Sequence, residues 1–150
     1  MKTLILPSII LSLLVVGCNR APSTTDDTNG DLKAIQGTWT LIYFERGGTE
    51  IKQQNDTQAI NTGNSFVVKR GDQVIAAGTM KLIADTSPKA SETTYTEGQD
   101  KGKTFKGIYQ IDGDRMKFCR AGTTDDERPT EFKSKPNTGQ FSAVYKRASK

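Results

Sequence analysis

The stretch that decides the fold is IYQIDGDRMKFC, residues 108–119. Apolar and polar side chains alternate on both sides of Asp112-Gly113, which is the pattern of two antiparallel strands joined by a tight turn. Aspartate and glycine tolerate the positive φ that such a turn requires. A metal site at Asp112 and Asp114 is the alternative, but calcium needs roughly six oxygens or more from several segments. We therefore predict a β-hairpin with Asp112 and Gly113 in its turn, and no metal site.

Similar β-branched and aromatic runs occur throughout one domain, residues 32–150, and turn residues separate them. The predicted strands are 38–45, 65–70, 73–83, 103–111, 114–120 and 139–147, with weaker signals at 49–53, 92–96 and 130–134. Short, evenly spaced strands indicate an antiparallel sandwich or barrel. Each strand has one apolar and one more polar face, which favours a single closed interior. The sequence therefore predicts an all-β protein, a small antiparallel up-and-down barrel of about eight strands. A short helical turn at 31–35, with Asp31 as its N-cap, should precede the barrel.

Aromatic side chains occupy the inward faces of the predicted strands. Alternation places them on the same side as Trp39 and Leu41. They are Tyr43, Phe105, Tyr109, Phe118 and Tyr145. Such side chains usually fill a core. If the barrel is not filled, they are the best candidates to line an apolar pocket with a few hydroxyl groups.

The N-terminal segment is typical of an exported protein. Lys2 precedes the apolar run 4–16, which is shorter than the roughly twenty residues that span a bilayer. Residues 1–17 are therefore predicted to be a signal peptide. The run ends in Gly17-Cys18 and resembles the lipobox of a bacterial lipoprotein signal. The resemblance implies a lipid on Cys18 and cleavage before it; the alternative is an ordinary signal peptide with a chance cysteine.

Residues 18–31 are polar and show no apolar periodicity, so we predict a flexible tether between the anchor and the domain. More than one acyl chain at Cys18 would give stable anchoring. We expect a membrane-anchored lipoprotein of the bacterial cell envelope, with its domain facing the periplasm or the exterior.

The composition excludes several classes of function. The chain has no histidine, which excludes histidine-based acid–base catalysis and disfavours a transition-metal site. Nothing indicates a cofactor. The net charge is +4, but the basic residues are interspersed with acidic ones, which argues against nucleic-acid binding.

Cys119 is the one candidate nucleophile. It alternates with Arg115 and Lys117, so its side chain could point away from the barrel interior. Nearby cations would lower the pKa of the thiol, but no histidine can serve as its base. We prefer a small thiol packed beneath segment 121–132 and predict that the protein is not an enzyme.

A charged loop precedes Pro129. It contains Asp125, Asp126, Glu127 and Arg128. The loop could bind a partner or gate a ligand. We prefer a solvated turn in which Arg128 pairs with a carboxylate and holds the returning chain.

The order of several motifs resembles one family. Gly37-Thr38-Trp39 is similar to the Gly-x-Trp start of lipocalins, in which a basic residue of the last strand packs against the tryptophan; Arg147 fits that place. The motifs QGTW at 36–39, KGIY at 106–109, DGD at 112–114, FC at 118–119, ERPTEF at 127–132 and YKR at 145–147 together resemble the uncharacterised lipocalin-like domain family expanded in planctomycete bacteria. The resemblance implies a lipocalin-like barrel in an envelope or secreted setting, and it implies no activity.

The expected protein is a lipid-anchored envelope lipoprotein of unknown molecular activity. Two functions stay open. The barrel could bind a small apolar or amphipathic molecule, or it could be an envelope protein–protein interaction module with a filled core and no ligand. We expect a monomer that contacts the membrane through its N-terminal lipid.

Overall fold

The hairpin predicted at residues 108–119 is present and belongs to a continuous series of antiparallel strand pairs. The computed structural model describes residues 24–52 and 56–149. Their elements are α1 (Thr24–Ala34), β1 (Gly37–Arg46), β2 (Thr49–Glu50), β3 (Thr57–Thr62), β4 (Ser65–Arg70), β5 (Gln73–Ile83), β6 (Ala90–Gly98), β7 (Thr104–Asp112), β8 (Arg115–Arg120) and β9 (Phe141–Arg147). Signal residues 1–17, Cys18 and tether residues 18–23 lie outside the described residues.

The sheet closes on itself. Its strand order is β2-β1-β3-β4-β5-β6-β7-β8-β9, and β9 also pairs with β1. The two-residue strand β2 sits beside β1, so eight strands form the barrel wall. All of these pairs are antiparallel. The prediction of a small all-β up-and-down barrel is confirmed.

The turn of the deciding hairpin uses Gly113. Asp112 pairs with Arg115, so Gly113 and Asp114 form the two-residue connection between β7 and β8. Gly113 has a φ of 57°, a left-handed conformation that glycine adopts at no steric cost. The glycine thus gives the chain the tight reversal that pairs Ile111 with Met116.

Two strand assignments differ from the prediction. Strand β3 was not predicted because its sequence is TQAINT, and its buried positions, Thr57, Ala59 and Asn61, are small or polar. Such residues give no apolar alternation to detect. Segment 130–134, a weak strand candidate, contains no strand and belongs to the connection between β8 and β9.

A β-bulge in β1 corrects the prediction that Tyr43 faces inward. Leu41 pairs with Tyr145 while Tyr43 pairs with Val144, so β1 contains one extra residue, Ile42. A bulge reverses the alternation of faces beyond it. Tyr43 is therefore 36% exposed, and Phe44 faces the interior instead.

Helix α1 begins earlier than the sequence indicated. Asp31 lies inside the helix rather than at its N-cap, and residues 24–31 are helical rather than part of a tether. The carboxylate of Asp31 accepts hydrogen bonds from Lys89 Nζ and Tyr109 Oη, both at 2.7 Å. These bonds dock the helix on the barrel and offset its weak intrinsic propensity. Among the described residues, no helix is long and apolar enough to cross a membrane.

Trp39 and Arg147 close the helix end of the barrel. Trp39 is fully buried, and its indole Nε1 donates to the Ile35 carbonyl at 2.7 Å. The Arg147 guanidinium carbon lies 4.2 Å from the centre of the Trp39 ring, within the range of a cation–π contact. Arg147 also donates to the carbonyls of Ala34 and Gln36. The stacking of Arg147 on Trp39 expected from the sequence is present.

Candidate functional site

The barrel interior contains a cavity of about 240 Å³. This is the space of about eight water molecules, too large for a defect in ordinary core packing. Apolar and aromatic side chains form most of its wall. Among them are Ile35, Phe44, Phe66, Val68, Met80, Leu82, Tyr95, Met116, Phe118 and Phe141.

The cavity is closed at one end and reaches solvent at the other. Buried Ile35 and Asn61 line the helix end, where Asn61 Nδ2 donates to the Ile35 carbonyl at 3.0 Å. Exposed Arg46 and Gln99 line the opposite end. We call this opposite end, with Asp100, the mouth.

The structure brings three of the five predicted pocket aromatics to the cavity wall. They are Tyr109, Phe118 and Tyr145. Phe105 is buried beside them but packs in a cluster with Phe66 and Tyr95 rather than on the cavity surface. Tyr43 lies outside the barrel because of the bulge in β1, and its hydroxyl donates to Glu45 at 2.8 Å.

An arginine that sequence reasoning did not select lies within this wall. Arg120 is 2% exposed, and its guanidinium carbon is 3.7 Å from the centre of the Phe105 ring. It also lies 4.8 Å from the Phe141 ring and 5.2 Å from the Tyr95 ring. The signal was available, because Arg120 follows Met116 and Phe118 at a spacing of two and must share their face.

Among the described residues, Arg120 has one carboxylate partner, Asp100. Its Nη1 donates to Asp100 Oδ2 at 2.8 Å, and Lys103 Nζ lies 3.3 Å from the other oxygen of Asp100. Burial acts to raise the pKa of Asp100, but the hydrogen bonds and charges of Arg120 and Lys103 outweigh it and lower that pKa. Asp100 is therefore ionised at neutral pH, and its charge is shared between two cations.

Two buried polar atoms on the cavity wall have no hydrogen-bond partner among the described residues. They are Arg120 Nε and Thr93 Oγ1. Buried polar atoms nearly always have a partner, because leaving one without it costs about 1–3 kcal/mol. Both atoms are buried even from the cavity, so among the described residues they are unpaired polar groups just behind the cavity surface.

The tyrosines of the interior are neutral. Burial raises the pKa of Tyr145 above its usual value, and the nearby Tyr95 adds to this shift. Burial and the hydrogen bond to Asp31 do the same for Tyr109. The Tyr109 hydroxyl is already used by Asp31, and Arg120 is the buried cation of the described cavity wall.

Cys119 faces outward and is covered by the connection between β8 and β9. It is 0% exposed; its Sγ lies 3.8 Å from the Lys133 carbonyl and accepts from Gln140 Nε2 at 3.4 Å. Burial raises the pKa of the thiol despite these hydrogen bonds. The sequence predicted a thiol packed beneath segment 121–132; Cys119 is buried as expected, but its hydrogen-bond partners, Lys133 and Gln140, lie further along the same connection. The raised pKa disfavours a thiolate at neutral pH.

Arg128 fastens the same connection to the outside of the barrel. Its Nη1 donates to the carbonyls of Ser91 and Gly107 at 2.5 and 2.7 Å, and its Nη2 lies 4.0 Å from Glu92 Oε1. The expected holding role is thus present, although the main partners are carbonyls of β6 and β7. Asp125 and Glu127 are exposed on the loop.

The described residues contain no cluster of three or more histidine, cysteine, aspartate or glutamate side chains placed to hold a metal ion. Asp112 and Asp114 are exposed at the β7–β8 turn, and the Asp114 carbonyl accepts from the Arg147 amide at 2.7 Å. Their placement is that of a structural turn.

Comparisons of the chain with family models, with curated proteins and with solved structures found no match.

Proposed function

We propose that this protein is a lipid-anchored binding barrel of the cell envelope, which holds a small apolar or amphipathic molecule in its interior. The observation that carries the proposal is the cavity of about 240 Å³, walled mostly by apolar side chains and reaching solvent at the mouth. Ligand sites in proteins are typically concave, mostly apolar and equipped with a few polar groups. An interaction module with a filled core would not need this space.

Methionine methyl groups offer a direct test of binding. Met80 and Met116 both line the cavity, and the third methionine, Met1, lies in the predicted signal peptide. With ¹³C-methyl methionine, binding of 1-octanol to the full chain in phospholipid nanodiscs should shift both cavity resonances at saturable concentration. Partitioning of the alcohol into the bilayer would leave them in place.

A matched pair of variants locates the binding. Ala76 lines the cavity, so Ala76→Leu places added carbons inside it and should abolish the shifts. Gln73→Leu adds a leucine to an exposed position of the same strand and should leave them unchanged. Unshifted Met80 and Met116 resonances with every apolar probe would reject the binding function.

Anchoring is tested separately. Labelling with a palmitate analogue in a bacterial host should tag the wild-type chain and Cys119→Ala but not Cys18→Ala. Equal labelling of all three would reject the lipid at Cys18.

A further inference from the structure

The geometry points to a small apolar carboxylate as the ligand, with its head group at Arg120 and its chain among the methionine and aromatic side chains deeper in the barrel. This inference rests on the proposed function and adds to it the charge and size class of the molecule. A medium-chain fatty acid such as octanoate represents the class.

Arg120 is the main reason for a negatively charged head group. A guanidinium has five N–H donors in a planar fork that matches a carboxylate. In Arg120, Nη1 donates to Asp100, and Nε has no partner in the part of the chain that the structure describes. Arg120 lines the cavity but is only 2% exposed, so a carboxylate would contact the guanidinium where it borders the cavity and would reach the buried Nε only after a shift of the side chain.

The charge near the mouth is also positive overall, which favours a negatively charged ligand. Arg46 and Arg120 line the cavity together with one carboxylate, Asp100. Asp100 is already paired with Arg120 and Lys103, so it is a poor partner for a cationic ligand. A carboxylate entering here meets an excess of positive charge, and an ammonium group meets repulsion.

The size of the cavity limits the rest of the molecule. A volume of about 240 Å³ lies below the roughly 300–1,000 Å³ of pockets for drug-sized ligands. Beyond Arg120 the wall contains Met80, Met116 and Leu82, which suit an unbranched hydrocarbon chain because methionine adapts to irregular shapes.

Three probes of equal chain length separate the head groups. Octanoate, 1-octanol and octylamine are titrated into the full chain in nanodiscs, and the shifts of the Met80 and Met116 methyl resonances give the dissociation constants. We expect octanoate to bind about tenfold or more tightly than 1-octanol, since hydrogen bonds to charged groups are worth that much. Octylamine should bind most weakly.

Two variants test the assigned residue in opposite directions. Arg120→Gln should remove the preference for octanoate and leave the affinity for 1-octanol about the same. Asp100→Asn removes the competing carboxylate while Arg120 stays. Octanoate should therefore bind more tightly, and the affinity for 1-octanol should be unchanged. If Arg120→Gln does not fold, Asp100→Asn alone decides, because Asp100 is not fully buried.

The outcomes distinguish the two proposals. Equal binding of octanoate and 1-octanol, tighter binding of octylamine, or no gain in Asp100→Asn would overturn the carboxylate inference and leave the binding function standing. No shift with any of the three probes would overturn the binding function, and the inference with it.

Discussion

Arg147 joins the last strand to the segment that enters the first one. Its guanidinium stacks on Trp39 and donates to the carbonyls of Ala34 and Gln36. We expect Arg147→Ala to lower the free energy of unfolding by about 1–2 kcal/mol, since the contacts are partly exposed. The free energy of unfolding of Arg147→Lys should lie between those of Arg147→Ala and the wild type, because an ammonium group keeps the charge but cannot reproduce the planar fork of the guanidinium. Urea unfolding followed by fluorescence of Trp39, the one tryptophan, measures the effect. Lys146→Ala, an exposed neighbour, is the control, and an equal loss in that variant would contradict the role of Arg147.

Glu45 makes the attachment of the β8–β9 connection depend on pH. Its carboxylate accepts from the backbone amide and hydroxyl of Ser134 at 2.5 and 2.7 Å. The hydrogen bond from the Ser134 hydroxyl is the main reason that the pKa of Glu45 lies below its ordinary value of 4.5. A lowered pKa in the folded state means that stability is fully present above about pH 4.5 and is lost as the pH falls through the folded value.

Glu45→Gln should therefore be less stable than the wild type by about 1 kcal/mol at pH 7, and the difference should shrink below pH 4.5. Thermal unfolding of both proteins from pH 7 down to the acid limit of folding measures this. Glu131→Gln, at an exposed position of the same connection, should show no such convergence. A constant gap between wild type and Glu45→Gln across that range would show that the carboxylate charge is irrelevant.

Residues 121–140 form a covering element on the outer face of the barrel, held by Arg128 to the carbonyls of β6 and β7. Removing Arg128 takes away two charge-assisted hydrogen bonds and should raise the open population of this cover about tenfold or more.

In a Cys18→Ala background Cys119 is the single thiol of the chain. Arg128→Ala should accelerate its reaction with a thiol reagent by the same factor. Arg115→Ala, at an exposed position of β8, should react at the parent rate. Equal rates for Arg128→Ala and its parent would mean that other contacts hold the cover.

The elements show which structural features the sequence could predict. The β7–β8 hairpin followed from local alternation and turn chemistry, and the Trp39–Arg147 contact followed from the resemblance to lipocalins; both are present. The bulge in β1 depends on pairing with β9 about a hundred residues away, so alternation alone placed Tyr43 inside. The docking of α1 depends on Asp31 accepting a hydrogen bond from Tyr109 across the fold, a contact that the local sequence does not show. The inward position of Arg120 was predictable from its spacing to Met116 and Phe118. It was missed because a charged residue is not expected in an apolar interior.

At the scale of the whole molecule, the barrel combines a firmly closed end with a mouth that reaches solvent. The helix end has the buried indole, the Asp31 contacts and the Arg147 contacts. The interior beyond it holds space instead of side chains. Unfilled volume weakens a fold because the surrounding atoms lose dispersion contacts. The protein therefore keeps a cavity at the expense of stability, which is common where a site serves binding.

Filling the cavity with a larger side chain should restore the stability that the unfilled volume costs. Ala76→Leu adds apolar carbons to the cavity wall, and partial burial of them should raise the free energy of unfolding by about 1 kcal/mol in the absence of ligand. The same variant should lose binding of 1-octanol, so stability and binding move in opposite directions. Urea unfolding of Ala76→Leu, Gln73→Leu and wild type, with and without saturating octanoate, measures both quantities. Octanoate should stabilise the wild type and Gln73→Leu by mass action and leave Ala76→Leu unchanged. A loss of stability in Ala76→Leu would mean that the added carbon atoms find no free space beside Phe66 and Tyr95. The cavity would then be too small to hold a ligand.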